Sequence, residues 1–232
     1  MSELLEFPQN WDRALVLVAH PDDPEYGMAA AVAEWIGAGK HVSYVLATRG
    51  EAGIAGLAPA ESAPLRSLEQ ENACAKVGVS DLVFLDHPDG RIEEGVALRR
   101  DLAREIRRVR PDLVLTLNHR DEWAPGRWNS ADHRAVGRAV LDAVGDADNE
   151  WIFPELLEEG LPRHKTRWVA VMSPRPTHAQ PVSESSIEKA VASLAEHTRY
   201  LQVLTDEPVE EQARKQTQMV TAGGVVAFEL YG

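Results

Sequence analysis

Ala14-Leu15-Val16-Leu17-Val18-Ala19-His20-Pro21-Asp22-Asp23-Pro24-Glu25 is the stretch that decides the fold. Its first six residues are an uninterrupted apolar run of strand length, the pattern of a strand buried on both faces of a parallel sheet. Residues 26–36 follow with Ala, Met, Val and Trp at helical spacing, and Gly37 and Gly39 can close that helix. The same unit recurs along the chain. Strands are predicted at 41–47, 81–85, 112–117, 167–172 and in the tail 225–230, and helices at 64–77, 95–109, 130–144 and 187–204. Pro111 suits a strand entrance, and Ser130 suits a helix cap. Strand and helix in alternation predict an α/β fold with a mostly parallel sheet and helices on both faces. No repeat or linker interrupts the pattern, so one domain over residues 1–232 is expected.

The composition narrows the function. Lys and Arg total 24 against 37 Asp and Glu, a net charge of −13 with His neutral. Such a surface repels phosphate backbones, so a nucleic-acid partner is not expected. The lone cysteine, Cys74, has no internal disulfide partner and suits a reducing compartment. No run approaches the roughly 18 apolar residues of a membrane helix, and the first residues do not read as a signal peptide. A cytoplasmic protein acting on a small molecule is expected, with a homo-oligomer allowed.

The residues directly after the first strand stand where open α/β sheets place ligands, at the carboxyl end of a strand. His20, Asp22, Asp23 and Glu25 crowd one imidazole and three carboxylates into six residues. A divalent cation would relieve the mutual repulsion of the acids. The same acids suit helix capping, and spacing alone leaves the two readings even. A metal also needs ligands from elsewhere. Asp132-His133, in the first turn of the helix after the fourth strand, reaches the same sheet edge. Two imidazoles and a carboxylate fit a hydrolytic zinc site and also the facial set of a non-haem iron enzyme. The helix–strand alternation favours zinc over Fe2+.

Ala19-His20-Pro21-Asp22-Asp23 after an apolar strand, with Asp132-His133-Arg134-Ala135-Val136-Gly137 downstream, resembles the LmbE/PIG-L family of zinc-dependent N-acetylglucosaminyl deacetylases, which have a Rossmann-like fold. Thr48-Arg49-Gly50-Glu51, Arg66-Ser67-Leu68-Glu69 and Pro88-Asp89-Gly90 are similar to its later loops and helix. The resemblance implies His20, Asp23 and His133 as zinc ligands, Asp22 as general base, Asp132 in support and Arg66 as a substrate contact. The implied activity is removal of an N-acetyl or similar acyl group from an amino sugar or secondary metabolite. Other zinc-water chemistry on the same scaffold, a thiol-conjugate amidase or a small-acid hydratase, is the alternative, and a non-catalytic sugar-binding protein a further one.

One departure stands out. The family's second motif commonly reads H-P-D-H, its leading His credited with protonation or oxyanion stabilisation, whereas this chain has Ser130-Ala131-Asp132-His133. His119 and His178, each beyond a predicted strand, are candidates to replace that histidine, and Asp22 acting alone is the other option. Glu51 is expected on the pocket floor. Trp123 and Trp128 offer aromatic faces for a sugar. His87-Pro88-Asp89-Gly90 reads as a turn, and His197 as a core or solvent residue inside the last long helix. The arginines at 99, 100, 104, 107, 108 and 110 read as an ion-paired, solvated helix face.

Overall fold

The apolar run becomes β2 (Arg13–Val18), whose residues from Ala14 onward are buried. A short β1 (Leu5–Glu6) precedes it in the computed structural model, which describes residues 4–232. There follow α1 (Asp23–Gly27), α2 (Ala29–Gly37), β3 (His41–Leu46), α3 (Pro59–Val77), β4 (Asp81–Phe84), α4 (Val96–Val109) and β5 (Leu113–Thr116). A small hairpin of β6 (Glu122–Ala124) and β7 (Arg127–Trp128) leads to α5 (Ala131–Ala147) and α6 (Glu155–Glu158). The last third contains β8 (Trp168–Val171), β9 (His178–Pro181), α7 (Glu184–Ala195), α8 (Thr198–Leu204), α9 (Val209–Val220) and β10 (Val225–Tyr231).

The main sheet has the order β1-β9-β10-β8-β5-β2-β3-β4. From β4 to β8 every pairing is parallel, while β10 runs antiparallel to both β8 and β9. β2 is central, with Ala14 opposite Val42 on one side and Leu113 on the other. Helices α2, α3 and α7 pack on one another, and α4 packs on α5. A continuous apolar cluster runs from Phe7 to Phe228 between these layers and the sheet. The fold is therefore the expected mixed α/β one with a mostly parallel sheet. Among the described residues no helix is long and apolar enough to cross a membrane.

Several boundaries differ from the sequence expectation. The helix expected at 26–36 starts earlier, with Pro24 in its first turn, and breaks at Met28. The one expected at 187–204 breaks before His197, whose ring is buried against Glu25, so a tertiary contact overrides the helical period. β9 has no strand signal in the sequence, because His-Ala-Gln-Pro lacks apolar alternation. Arg107 departs from the solvated face. It is buried and donates to the carbonyls of Ala147 and Asn149, stapling α4 to the end of α5.

Candidate metal centre

β2 delivers the chain to the carboxyl edge of the sheet, where Ala19 and His20 turn their N–H groups onto Asp23. Both donate to Asp23 Oδ2, at 3.0 and 2.7 Å. Asp23 Oδ1 lies 3.0 Å from His133 Nε2. His133 is in the first turn of α5, which Ser130 caps by accepting the His133 N–H at 3.1 Å. Gly137, one turn on, lets α5 approach the end of β5, because a Cβ there would sit 2.8 Å from the Leu117 carbonyl oxygen. The His20 and His133 rings are 5.2 Å apart, centroid to centroid. One ligand atom from each of His20, Asp23 and His133 falls within 4.8 Å of the others.

The donor chemistry fits a divalent ion of borderline softness. His20 Nε2 is 3.1 Å from both Asp132 Oδ2 and Asp89 Oδ1. With the Nε2 proton held there by carboxylates, Nδ1, 3.6 Å from Asp23 Oδ2, is the nitrogen that would give up its proton and offer its lone pair to an ion, the arrangement that ligand imidazoles use. Burial would lower the His20 pKa, but Asp132, Asp23 and Asp89 prevail and hold it well above its usual value. Burial would raise that of Asp23, yet His133 and His20 pull it far below the carboxylate range. His20, Asp89 and Asp132 make a second possible metal grouping around the same imidazole. The first is the better ion site. In the second, both oxygens of Asp132 already accept the N–H groups of Gly90 and Ile92, at 2.7 and 3.1 Å.

Asp22 stands beside the trio in left-handed backbone, φ 89°, a conformation uncommon for a residue with a side chain. Its Oδ1 is 3.1 Å from Arg66 Nη2, and both residues are buried. Burial raises the Asp22 pKa, against the pull of Arg66. Arg66 also donates to the Pro21 carbonyl, and its guanidinium lies 4.2 Å above the Tyr200 ring centroid. The loop that follows β3 leaves it room. A Cβ on Gly50 or Gly53 would stand within 2.6 Å of Arg66 Nη1, and Gly50 has φ 63°.

These groups line a cavity of about 640 Å³ together with Tyr26, Trp123, Arg127, Met172 and Met219. The other residues expected at the site are placed as follows. Glu51 lies behind it, accepting the Asp89 N–H at 2.8 Å, so it orients the 88–90 turn and does not line the cavity. Trp128 is 69% exposed with Arg134 over its ring; Trp123 takes the place at the wall, edge-on to His133. His119 lines a neighbouring cavity of about 610 Å³ that shares only Trp123 with the first. Burial and the nearby Arg120 lower its pKa. His178 is in β9, three strands from β5, with Nδ1 2.9 Å from Thr177 Oγ1, and is not brought to the cavity. Asp89 is the site residue that sequence reasoning passed over. Its turn does form, with Gly90 at φ 77°, but the turn also presents a carboxylate to His20. The repeated His-Pro-Asp string was the available signal.

An open α/β sheet with a His-Asp-His cluster at its carboxyl edge defines the class. Residues 15–144 match the family model described as PIG-L, GlcNAc-PI de-N-acetylase, and the chain belongs to that family. The chain is 34% identical over 140 residues to the probable N-acetyl-alpha-D-glucosaminyl L-malate deacetylase 2 of Bacillus subtilis, covering 57% of this chain and 61% of that protein. It is 32% identical over 171 residues to the 1D-myo-inositol 2-acetamido-2-deoxy-alpha-D-glucopyranoside deacetylase of Kineococcus radiotolerans, covering 58% and 46% respectively. The chain thus spans about half to three-fifths of the length of these relatives. The solved structure of N,N'-diacetylchitobiose deacetylase from Pyrococcus horikoshii has the same fold. It superposes with a TM-score of 0.84 at 22% identity, over 96% of this chain and 84% of the other. Met172, Tyr200, Gln216, Met219 and Val220, which also line the cavity, fall outside the matched 15–144 segment.

Proposed function

We propose that the protein is a zinc-dependent deacetylase that hydrolyses the N-acetyl amide of a small amino-sugar glycoside. The observation that carries this reading is the convergence of ligand atoms of His20, Asp23 and His133 within 4.8 Å, beside Asp22, in the lining of a cavity of about 640 Å³. His20, Asp23 and His133 would hold the ion, with Zn2+ the first expectation and Fe2+ the second. When bound, the ion supplies Lewis acidity and makes a water acidic near neutral pH.

The chain's own groups supply the proton traffic. Arg66 fixes Asp22 Oδ1, which leaves Oδ2 to take the proton of the attacking water and return it to the departing amine. Water and amide become acetate and a free amine. Burial keeps the Asp22 pKa raised, which suits a group that must gain and lose a proton in one cycle. Ser130 is committed to capping α5, and neither His119 nor His178 lines the cavity. Asp22 therefore carries both transfers in this reading. Arg66, Trp123 and Arg127 are the contacts offered to a sugar and its aglycone. The relatives named for deacetylating N-acetylglucosaminyl malate and inositol derivatives support a substrate of that size.

We further infer that residues 1–232 make one domain, supported by the apolar cluster continuous from Phe7 to Phe228. A reducing cytoplasm suits the buried thiol of Cys74. The test is metal analysis of the purified protein coupled to acetate release from a panel of N-acetylglucosaminides. About one zinc per chain, with acetate release abolished by a chelator and restored by Zn2+, is expected. Stoichiometric metal with no amide turnover would favour a sugar-binding protein instead. Absence of divalent metal would end the proposal.

A further inference from the structure

Behind Asp22 lies a polar cluster sealed from solvent. Glu25, Gln70, Ser193 and His197 are each buried, the exposure of Gln70 and His197 being 0% and that of Glu25 1%. They come from α1, α3, α7 and the cap of α8, so four separate elements converge on one point. Burying a carboxylate among polar groups is costly unless its partners are arranged, and such clusters persist where they fix a geometry.

One side-chain hydrogen bond joins the cluster to the site. The Asp22 backbone N–H donates to Gln70 Oε1 at 2.9 Å. On the other side of the same residue, the Asp22 carbonyl accepts the N–H groups of Glu25 and Tyr26, at 2.9 and 3.0 Å. The orientation of the Gln70 amide is dictated from behind. Its Nε2 faces both oxygens of Glu25, at 3.2 and 3.3 Å, and a carboxylate can only accept. Turning the amide over would set its carbonyl against that carboxylate and leave the buried Asp22 N–H facing an NH2. Glu25 is enclosed by its neighbours, with Oε2 3.4 Å from His197 Nε2, too poorly aligned for a hydrogen bond, and Oε1 3.3 Å from Ser193 Oγ, whose hydroxyl also lies 2.8 Å from the Ala73 carbonyl.

We infer that Gln70 is a positioning residue for Asp22, its carbonyl holding the left-handed backbone that aims the Asp22 carboxylate into the cavity, and that Glu25 orients that amide from behind. Left-handed backbone at a residue with a Cβ persists only where its surroundings over-determine it. Here the N–H that this conformation turns inward meets an acceptor from a different helix. Removing the acceptor lets the Asp22 peptide relax and carries the carboxylate away from the attacking water. The kinetic part of this inference rests on the deacetylase reading; the backbone part does not.

The experiment pairs kinetics with hydrogen exchange of the Asp22 amide, read by NMR on the purified full chain. Gln70→Met keeps the volume and removes the acceptor. Its kcat is expected to fall about a hundredfold at unchanged KM and metal content, the scale that a small misplacement of a reacting group produces. Asp22 amide exchange should rise about tenfold while the exchange of β2 is unchanged. The reciprocal pair Gln70→Glu with Glu25→Gln restores the donor and acceptor pattern, because the new carboxylate accepts from Asp22 and the new amide donates to it. That double variant should recover kcat to within about tenfold of the wild type and regain amide protection, whereas Gln70→Glu alone sets two buried carboxylates together and should lose both. If Gln70→Met retains wild-type amide protection, or kcat within threefold, the inference is wrong. If Gln70→Met does not fold, the double variant decides. Recovery supports the inference, and a double variant that is inactive, unprotected or unfolded overturns it. A wild type that hydrolyses no amide would defeat the deacetylase reading and leave the exchange result standing as the test of Gln70.

Discussion

Asp22 carries more constraint than any neighbour in the motif. Its carboxylate is paired with Arg66, its N–H with Gln70, and its backbone is in the left-handed region. Asp22→Asn is expected to leave zinc content unchanged and to lower kcat by about 10²–10⁴, the usual contribution of a positioned proton carrier. Metal analysis alongside steady-state kinetics checks this, and wild-type turnover in that variant would remove Asp22 from the mechanism. At this scale the sequence is informative where residues are adjacent. His20, Asp22 and Asp23 lie on one turn after one strand, so their proximity needs no tertiary knowledge. Asp89 was hidden for the opposite reason. Pro-Asp-Gly is fully explained as a turn, and only the packing of that turn on His20 and Asp132 shows its second task. Ser130 was readable as a cap, and the bond to the His133 N–H explains why that hydroxyl is already committed.

Helix α5 sets His133 by how closely it approaches β5. Gly137 is what permits the approach, so Gly137→Ala should push the first turn outward and weaken zinc binding by about 10- to 100-fold, as loss of support around a ligand does. A competition titration with a chromophoric chelator reads this directly, and unchanged affinity would mean that the helix adjusts without moving His133. The junction of α2 with α7 is electrostatic. Glu34 accepts from the Ser183 hydroxyl and N–H and from the Ser186 hydroxyl, and these bonds hold its pKa below the usual carboxylate range. A carboxylate with a depressed folded-state pKa stabilises the fold above its unfolded pKa of about 4.3, and the benefit disappears as pH falls through the folded value. Glu34→Gln should therefore cost about 1 kcal/mol at pH 7, allowing for solvent screening at this partly exposed site, with the gap in urea midpoints closing as the pH drops below 4. A gap independent of pH would mean that the charge contributes nothing. Elements with a strong apolar period, such as β2 and β5, were legible in advance. The break at His197 was not, because it depends on Glu25, far away in the chain.

Across the whole molecule, the His20–Asp23 turn and the α5 start are separate elements, and a shared ion would bind them together. At a hundredfold excess of zinc over its Kd the folded state gains about 2.7 kcal/mol. For a chain of this size, chelation should lower Tm by about 5–10 °C, reversed by added Zn2+. Calorimetry with and without chelator reads the shift, and an unchanged Tm would place the ion, if any, outside the folded site. The parallel order of the middle strands was legible from strand–helix alternation. The antiparallel direction of β10 and the added strands β9 and β1 were not, because the tail strand carries no mark of its direction and β1 and β9 are too short to show a pattern.

The split ownership of the cavity has an outcome of its own. The groups proposed to run the reaction come from residues 20–133, while Met172, Tyr200, Gln216, Met219 and Val220, which also line the cavity, come from the last third of the chain. The proposed reacting groups thus belong to one stretch of polypeptide, while the lining around them is drawn from both. If the deacetylase reading holds, a chimera carrying a relative's final third on this chain's first two is expected to keep acetate release and to shift which aglycones it accepts, read as kcat/KM across a panel of N-acetylglucosaminides.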